Sequence, residues 1–214
     1  MSELRFEISM SLDGFVAGTD QSEQEPLGRG GEQLHQWVVR LAAWRERHGL
    51  DGGETDASTE AVERSHENVG AVLMGRNMFG GSGPWEEHPW DGWWGDDPPF
   101  HMPVFVVTHH PRPPLVMRGD TTFTFVTDGI ESALAQARAV AGGKDVALGG
   151  GASVAQQYLK AGLIDELRIH LVPILLGDGA RLFDNLGDVR PTLECTQVVA
   201  APGVTHLTYR VHNK

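Results

Sequence analysis

Residues 146–159 read VALGGGASVAQQYL and carry the clearest indication of the fold. The apolar run at 146–148 predicts a buried strand, and apolar residues at helical spacing from Val154 to Leu159 predict a helix. Three glycines join the two elements. Such a turn lets a phosphate approach the backbone and meet the unpaired N–H groups of a helix N-terminus, although glycine clusters more often serve simply as tight turns. The stretch predicts one strand–turn–helix unit of an α/β sheet.

A second unit of the same kind lies earlier in the chain. Residues 71–74, AVLM, predict a buried strand that leads through Gly75 into Arg76 and Asn77. Arg76 supplies the positive charge that a phosphate monoester requires. The later turn does not match a Rossmann fingerprint, because Val154 stands where a third glycine is needed and the next acidic residues open a strand instead of ending one.

Strands and helices alternate through the rest of the chain. Strands are predicted at residues 4–10, 104–108, 122–126 and 167–171, helices at 34–48, 58–68 and 130–141, and an antiparallel strand pair at 193–199 and 204–211. Ser58 is expected to cap the second helix, and Asp128 with Glu131 to form a capping box for the third. We expect one α/β domain over residues 1–214, with a twisted, mostly parallel sheet flanked by helices and an antiparallel C-terminal strand pair.

Composition and charge restrict the partners of this protein. The 214 residues include 17 Lys and Arg against 29 Asp and Glu, a formal net charge of −12. That charge repels polyanions, so no nucleic acid and no membrane is expected as a partner. Cys195 is the single cysteine, which excludes an intrachain disulfide, and the first residues do not resemble a signal peptide. We expect a cytoplasmic protein that acts on a small molecule.

The segment 80–102 has no regular period but is rich in tryptophan, proline and glycine. Its indoles (Trp85, Trp90, Trp93, Trp94) allow two interpretations. The segment is either an ordered loop whose rings cover part of the core, or a lid that closes over a ligand.

Several motifs occur in an order that identifies a family. They are SLDGFVA at 11–17, MGRNMF at 74–79, VVTHHP at 106–111, LGGGAS at 148–153, DEL at 165–167 and PILLGDG at 173–179 followed by Leu182-Phe183. Together they resemble the dihydrofolate reductase superfamily, in the branch similar to the C-terminal reductase domain of bifunctional riboflavin-biosynthesis deaminase-reductases. The likeness covers nearly the whole chain and is least clear at residues 18–60 and 80–102.

The resemblance implies that NADPH is the cofactor, and it assigns four groups of residues to it. These are Gly75, Arg76 and Asn77 at the adenosine-side phosphates; Thr108, His109 and His110 at the ribose and its 2′-phosphate; Gly149, Gly150, Gly151, Ala152 and Ser153 at the pyrophosphate; and Val16 and Ala17 near the nicotinamide. It also implies a cis peptide bond between Gly149 and Gly150. A metal is not expected, because adjacent histidines at a strand end point apart and no spaced third ligand accompanies them.

The catalytic side of the resemblance is less well defined. Asp13 matches an early motif and is a candidate catalytic acid, although it is equally suited to holding the turn after the first strand. Glu63 is the candidate on the helix where dihydrofolate reductases carry a carboxylate, and Glu60 and Glu67 lie on the same helix. Residues 82–84, SGP, depart from the riboflavin-type pattern of two acids before the proline.

We therefore expect an NADPH-dependent reductase of a small heterocyclic or carbonyl substrate. The resemblance brings 5-amino-6-(5-phosphoribosylamino)uracil and dihydrofolate into consideration as substrates. A nucleotide-binding or sensor module without catalysis is the alternative. A homodimer is expected, because the riboflavin-type branch pairs its subunits and Leu207, Tyr209 and Val211 give the C-terminal strands an apolar face that would otherwise cover the subunit's own helices.

Overall fold

A computed structural model describes residues 2–212 of the chain. Its strands are β1 (Leu4–Ser11), β2 (Phe15–Ala17), β3 (Val69–Gly75), β4 (Pro103–Val107), β5 (Leu115–Val116), β6 (Thr122–Val126), β7 (Asp145–Leu148), β8 (Glu166–Val172), β9 (Ala180–Arg181), β10 (Thr192–Ala201) and β11 (Val204–His212). Its helices are α1 (Gln36–Val39), α2 (Ala42–Arg47), α3 (Thr59–His66), α4 (Arg76–Phe79), α5 (Ile130–Val140) and α6 (Ala152–Lys160), and a 3₁₀ helix spans Gly31–His35.

Nine of the strands form one sheet in the order β10-β11-β8-β1-β7-β3-β4-β6-β5. The six central strands, from β8 to β6, are mutually parallel, whereas β11 and β10 at one end and β5 at the other are antiparallel to their neighbours. The predicted fold class is confirmed. Because the parallel strands all end at the same edge, the loops that follow them meet there, which is where ligands bind in open α/β sheets.

The main core lies on the face of the sheet covered by α5 and α6. Leu4 and Phe6 of β1 point into it and are fully buried, as the alternation of apolar and polar residues predicts. Tyr158 of α6 is also fully buried, and its hydroxyl donates a hydrogen bond to the Ile130 carbonyl at 2.8 Å. This packing joins the C-terminal half of α6 to the start of α5 on one face of the sheet.

The opposite face carries two smaller apolar clusters with polar residues between them. One cluster surrounds Phe79 and Trp85, and the other surrounds Trp37. Between them, Glu7 on β1 is paired in register with Arg168 on β8, and His170 on β8 with His206 on β11. This face is covered by α1, α2, α3 and the tryptophan-rich segment 80–102, so these polar groups are enclosed.

Several local predictions were wrong. The helix predicted at 34–48 is divided at Leu41, whose backbone is extended (φ −75°, ψ 139°), into the 3₁₀ helix, α1 and α2. Ser58 makes no side-chain capping bond, because its hydroxyl faces His206 Nε2 at 3.0 Å. No capping box forms on α5 either. Gly129 is its N-cap, and the Asp128 carboxylate accepts a hydrogen bond from the Ser132 hydroxyl at 2.7 Å.

Among residues 2–212, no helix is long and apolar enough to cross a bilayer.

Candidate active site

Two adjoining chambers lie where the parallel strands end. The arginine chamber has a volume of about 350 Å³, and its lining includes Arg76, Thr108, His109 and Gln157. The tryptophan chamber has a volume of about 530 Å³, and its lining includes Val16, Ala17 and Trp93. Asn77, Gly151 and Ser153 line both chambers. The two chambers therefore form one elongated site around the glycine turn and the start of α6.

The glycine turn after β7 is held against the turn after β3. Gly149 N–H donates to the Leu73 carbonyl and Gly75 N–H donates to the Gly150 carbonyl, each at 2.8 Å. A Cβ atom on Gly75 would lie 3.1 Å from the Val154 side chain, so a larger residue could fit there only if the first turn of α6 shifted by a few tenths of an ångström. The predicted cis bond at Gly149–Gly150 was wrong by one residue, because the cis bond joins Gly150 to Gly151.

Gly151 leaves open space at the beginning of α6. A Cβ atom on this residue would meet nothing within 4 Å, and its φ of −81° is accessible to any residue. The next backbone N–H groups, from Ala152 to Val154, are in the first turn of α6 and have no acceptor within the helix. The space beside Gly151 is therefore lined by backbone donors, as a bound pyrophosphate requires.

Arg76 is a partly buried cation that has no carboxylate partner among residues 2–212. Its guanidinium lies 3.2 Å from the centroid of the Trp85 ring, and its Nη1 atom is buried with no hydrogen-bond partner among residues 2–212. The bonds to the carbonyls of Gly81 and Gly83 are long, at 3.4 Å each. Burial, together with the charge of Arg112, lowers the pKa of Arg76 to about 10, so it remains protonated at neutral pH. Such a group favours an anion in the arginine chamber.

The turn after β4 forms the opposite side of the arginine chamber. Thr108 is buried, and its hydroxyl accepts a hydrogen bond from the His110 backbone N–H at 3.1 Å. His109 is exposed at the mouth of the chamber. The structure thus brings the predicted residues of this turn to the same chamber as Arg76 and Ser153.

The polar side chains of the tryptophan chamber mostly bond to one another. Gln156 donates to the Arg181 carbonyl at 2.8 Å and accepts from Asn185 at 3.2 Å. The Nε atom of Arg181 lies 3.8 Å from Oδ1 of Asp184, and the guanidinium lies over the ring of Phe15 in β2. His35 differs from these residues, because its Nδ1 atom is buried and has no partner in the described part of the chain.

The tryptophan-rich segment is attached to the backbone around the site. The indole N–H groups of Trp85, Trp90 and Trp93 donate to the carbonyls of His110, Phe79 and Met78 at 2.8–2.9 Å. Trp93 and Trp94 line the tryptophan chamber. In this conformation the segment is a fixed wall of that chamber.

The two predicted catalytic acids lie outside both chambers. The Asp13 carboxylate accepts hydrogen bonds from the Ser11 hydroxyl and from the backbone N–H groups of Leu176 and Gly177, at 3.2 and 2.8 Å for the latter two. The Ser11 bond is the main cause of the lowered pKa of Asp13. Glu63 is exposed on α3. The structure therefore gives Asp13 the turn-holding position that its motif also allowed, and it leaves Glu63 in solvent.

Sequence reasoning missed four residues of the tryptophan chamber, namely His35, Gln156, Arg181 and Asp184. His35 lies in the part of the chain where the family resemblance is least clear. Gln156 follows the LGGGAS motif on the face of α6 that turns toward β9, and a helical projection from Ser153 would have indicated it. Arg181 and Asp184 are distant in sequence from the motifs that identify the cofactor side.

A family model of the RibD C-terminal domain matches residues 3–207, and the chain belongs to that family. The family comprises the reductase domains of riboflavin biosynthesis, so the chain is an oxidoreductase.

Individual proteins are similar to this chain in sequence or in fold. The chain is 27% identical over 181 residues to YyaP of Bacillus subtilis (strain 168). The aligned region covers 83% of this chain and 78% of YyaP. This chain superposes on a solved structure of a protein from Shewanella sp. PV-4 that is described as a riboflavin biosynthesis protein. The superposition covers 100% of both chains, with a TM-score of 0.63 and 23% identity. Dihydrofolate reductase of Enterococcus faecalis, solved with NADP(H), gives a TM-score of 0.52 at 12% identity over 99% of this chain and 97% of its own. These likenesses confirm the dihydrofolate reductase-like fold.

Proposed function

We propose that this protein is an NADPH-dependent reductase of a small heterocyclic or carbonyl substrate, and that it acts as a single cytoplasmic domain over residues 1–214. The observation that carries this proposal is the partly buried, uncompensated Arg76 in a chamber that continues past the glycine turn into a second chamber. An elongated dinucleotide with an anionic end requires this arrangement.

The residues at the site fit NADPH on two independent points. Arg76 Nη1 is a buried donor without an acceptor, which is unfavourable by about 1–3 kcal/mol unless a ligand pairs with it. The open space beside Gly151 is where a pyrophosphate would meet the first turn of α6. Both features are unexplained by the protein's own packing, and both are accounted for by one ligand.

Each group of residues has a defined part in the proposed reaction. Arg76, with the Thr108–His109 turn, binds the 2′-phosphate, and the backbone from Gly149 to Ser153 binds the pyrophosphate. Val16 and Ala17 of β2 bound the nicotinamide end. The cofactor supplies the hydride. The apolar walls of the tryptophan chamber exclude water from the reacting atoms. We assign Asp13 a positioning role, since it fixes the loop around Gly177, and we assign Glu63 no contact with the reacting atoms.

The test is to compare the affinities for NADPH and NADH in the parent and in Arg76→Ala. Loss of a charge-assisted bond to the 2′-phosphate should weaken NADPH binding by about 2 kcal/mol, roughly thirty-fold, and leave NADH nearly unchanged. Arg118→Ala, at an exposed position outside both chambers, is the control for loss of one positive charge. Equal losses for both cofactors would show that Arg76 is structural, and the absence of NADPH binding by the parent would refute the proposal.

A further inference from the structure

The charges along the site are distributed unevenly. The arginine chamber contains Arg76, and no carboxylate of residues 2–212 is in its lining. The tryptophan chamber contains one cation, Arg181, and one anion, Asp184, which face each other at 3.8 Å. Its outer opening, between residues 21–26 and 80–93, adds Glu23 and no lysine or arginine within residues 2–212. An anionic ligand group is therefore favoured at one end of the site only.

The other polar side chains in the lining of the tryptophan chamber are uncharged. His35 contributes a buried ring nitrogen, Nδ1, that has no hydrogen-bond partner of normal geometry among residues 2–212. Burial is the main cause of the lowered pKa of this imidazole; the Gly31 backbone opposes it and the nearby His170 adds to it, and the net result is an uncharged ring at neutral pH. The surrounding walls are apolar or aromatic, and they include Val16, Leu27, Met78 and Trp93. A neutral donor or acceptor between such walls suits an uncharged planar ring.

We propose that the substrate of this reductase is an uncharged planar heterocycle without a phosphate group, and that His35 Nδ1 forms its buried hydrogen bond in the tryptophan chamber. This inference rests on the proposed function and narrows it. A phosphorylated pyrimidine would bring a further dianion into a chamber where, among residues 2–212, the only cation in the lining already faces Asp184, and next to an opening that carries Glu23. The backbone donors at the start of α6 line this chamber too, but the proposed function assigns them to the cofactor pyrophosphate. A second phosphate would therefore lack a free cation, and the desolvation of the dianion would not be compensated.

The experiment measures ligand binding to the NADP⁺-saturated protein by calorimetry. The probes are two matched pairs: 5-amino-6-(ribosylamino)uracil with its 5-phosphate, and 6-hydroxymethylpterin with its phosphate. We expect at least one phosphate-free member to bind, and to bind at least ten-fold more tightly than its phosphorylated counterpart. Asp184→Asn should narrow that difference by freeing Arg181, whereas Asp188→Asn, an exposed acid outside the chamber, should not.

The role of His35 is tested in the same assay. His35→Leu should weaken binding of the phosphate-free probe by about ten-fold, the scale of one buried hydrogen bond, and His35→Gln should restore part of the loss. NADPH affinity should change far less than probe affinity, because the lining of the arginine chamber, which is assigned to the cofactor 2′-phosphate, does not include His35. A general disturbance of the fold would instead reduce binding of NADPH and probe together.

Two results would overturn the inference while the proposed function stands. They are equal or tighter binding of a phosphorylated member, and no binding of either phosphate-free probe by a protein that binds NADPH normally. Failure to bind NADPH would refute the proposed function and this inference with it.

Discussion

His206 should make the stability of this protein depend on pH. Its side chain is buried between two partners: Nδ1 lies 2.7 Å from His170 Nδ1, and Nε2 lies 3.0 Å from the Ser58 hydroxyl. His170 Nε2 in turn lies 2.8 Å from the Glu7 carboxylate. Burial, reinforced by the charge of His170, lowers the pKa of His206 from 6.5 to about 4. The folded protein therefore holds this imidazole neutral at a pH where the unfolded chain would protonate it.

The direction and size of the effect follow from proton linkage. Between pH 6.5 and pH 4 the unfolded chain binds more protons at this position than the folded chain, so stability falls as the pH is lowered through that range. With a pKa of about 4 in the folded state and 6.5 in the unfolded state, His206 should lower the free energy of unfolding by about 2 kcal/mol from pH 7 to pH 5. For a chain of this length that corresponds to a decrease in Tm of roughly 4–8 °C.

Urea titrations at pH 7 and pH 5 measure this change, with His206→Gln as the perturbation. Because His35 and His66 also have lowered pKa values, the parent should lose more than the contribution of His206 alone. The variant should lose about 2 kcal/mol less than the parent over the same interval. Thr205→Ala, a change to a neighbouring residue that does not titrate, should keep the parental pH dependence. Parallel curves for the parent and His206→Gln would refute this account of the buried pair.

Three further predictions concern single features. Asp13→Ala should lower the Tm in a thermal scan, because the backbone N–H groups of Leu176 and Gly177 lose their acceptor. NADPH affinity, measured by fluorescence, should stay within two-fold of the parental value. A large loss of affinity at unchanged Tm would contradict the positioning role. Trp85→Phe keeps an aromatic ring beneath Arg76 but removes the 2.9 Å hydrogen bond to the His110 carbonyl. Urea denaturation should show a free energy of unfolding lower by about 1–2 kcal/mol, with little effect on cofactor binding. Unchanged stability would mean that this hydrogen bond contributes nothing. A homodimer should give a light-scattering mass near twice 23.3 kDa, and a mass near 23 kDa at micromolar concentrations would exclude it. The interface face predicted at Leu207, Tyr209 and Val211 was wrong, because these residues pack against the subunit's own main core. Leu193 and Val198, which are exposed on the C-terminal strand pair, are the interface candidates instead.

The sequence was sufficient to predict the parallel sheet and the edge where its ligand site lies. Alternating or continuous apolar runs mark the strands that pack on α5 and α6, and each glycine turn follows one of these runs directly. β2 and β9 were beyond such reasoning, because two- or three-residue strands have no period of their own and form only when the chain brings them together. The position of the cis bond was also not predictable, since three identical glycines offer two equivalent peptide bonds.

The interior polar network was not predictable for a different reason. His170 and His206 occur in strands whose alternation predicts one polar face, and such a face is usually exposed to solvent. Here it is covered by helices from residues 36–66, so the histidines, Glu7 and Ser58 must bond to one another. Only the three-dimensional position of these helices distinguishes a solvated polar face from a buried network.

The net charge of −12 is compatible with the proposed NADPH, whose pyrophosphate and 2′-phosphate are both anionic, because electrostatic attraction at this site is local. At physiological salt the charges on distant surfaces are largely screened beyond about 8 Å, so the acidic composition affects a bound phosphate less than the groups that touch it. Within that distance, Arg76 pairs with no carboxylate in the described part of the chain, since the nearby Asp91 pairs with Arg112, and the first turn of α6 contributes unpaired backbone donors. The tryptophan chamber lacks this imbalance, because Arg181 faces Asp184. Under the proposed function, the site therefore favours the cofactor phosphates at the arginine end and disfavours a phosphate group on the substrate at the tryptophan end.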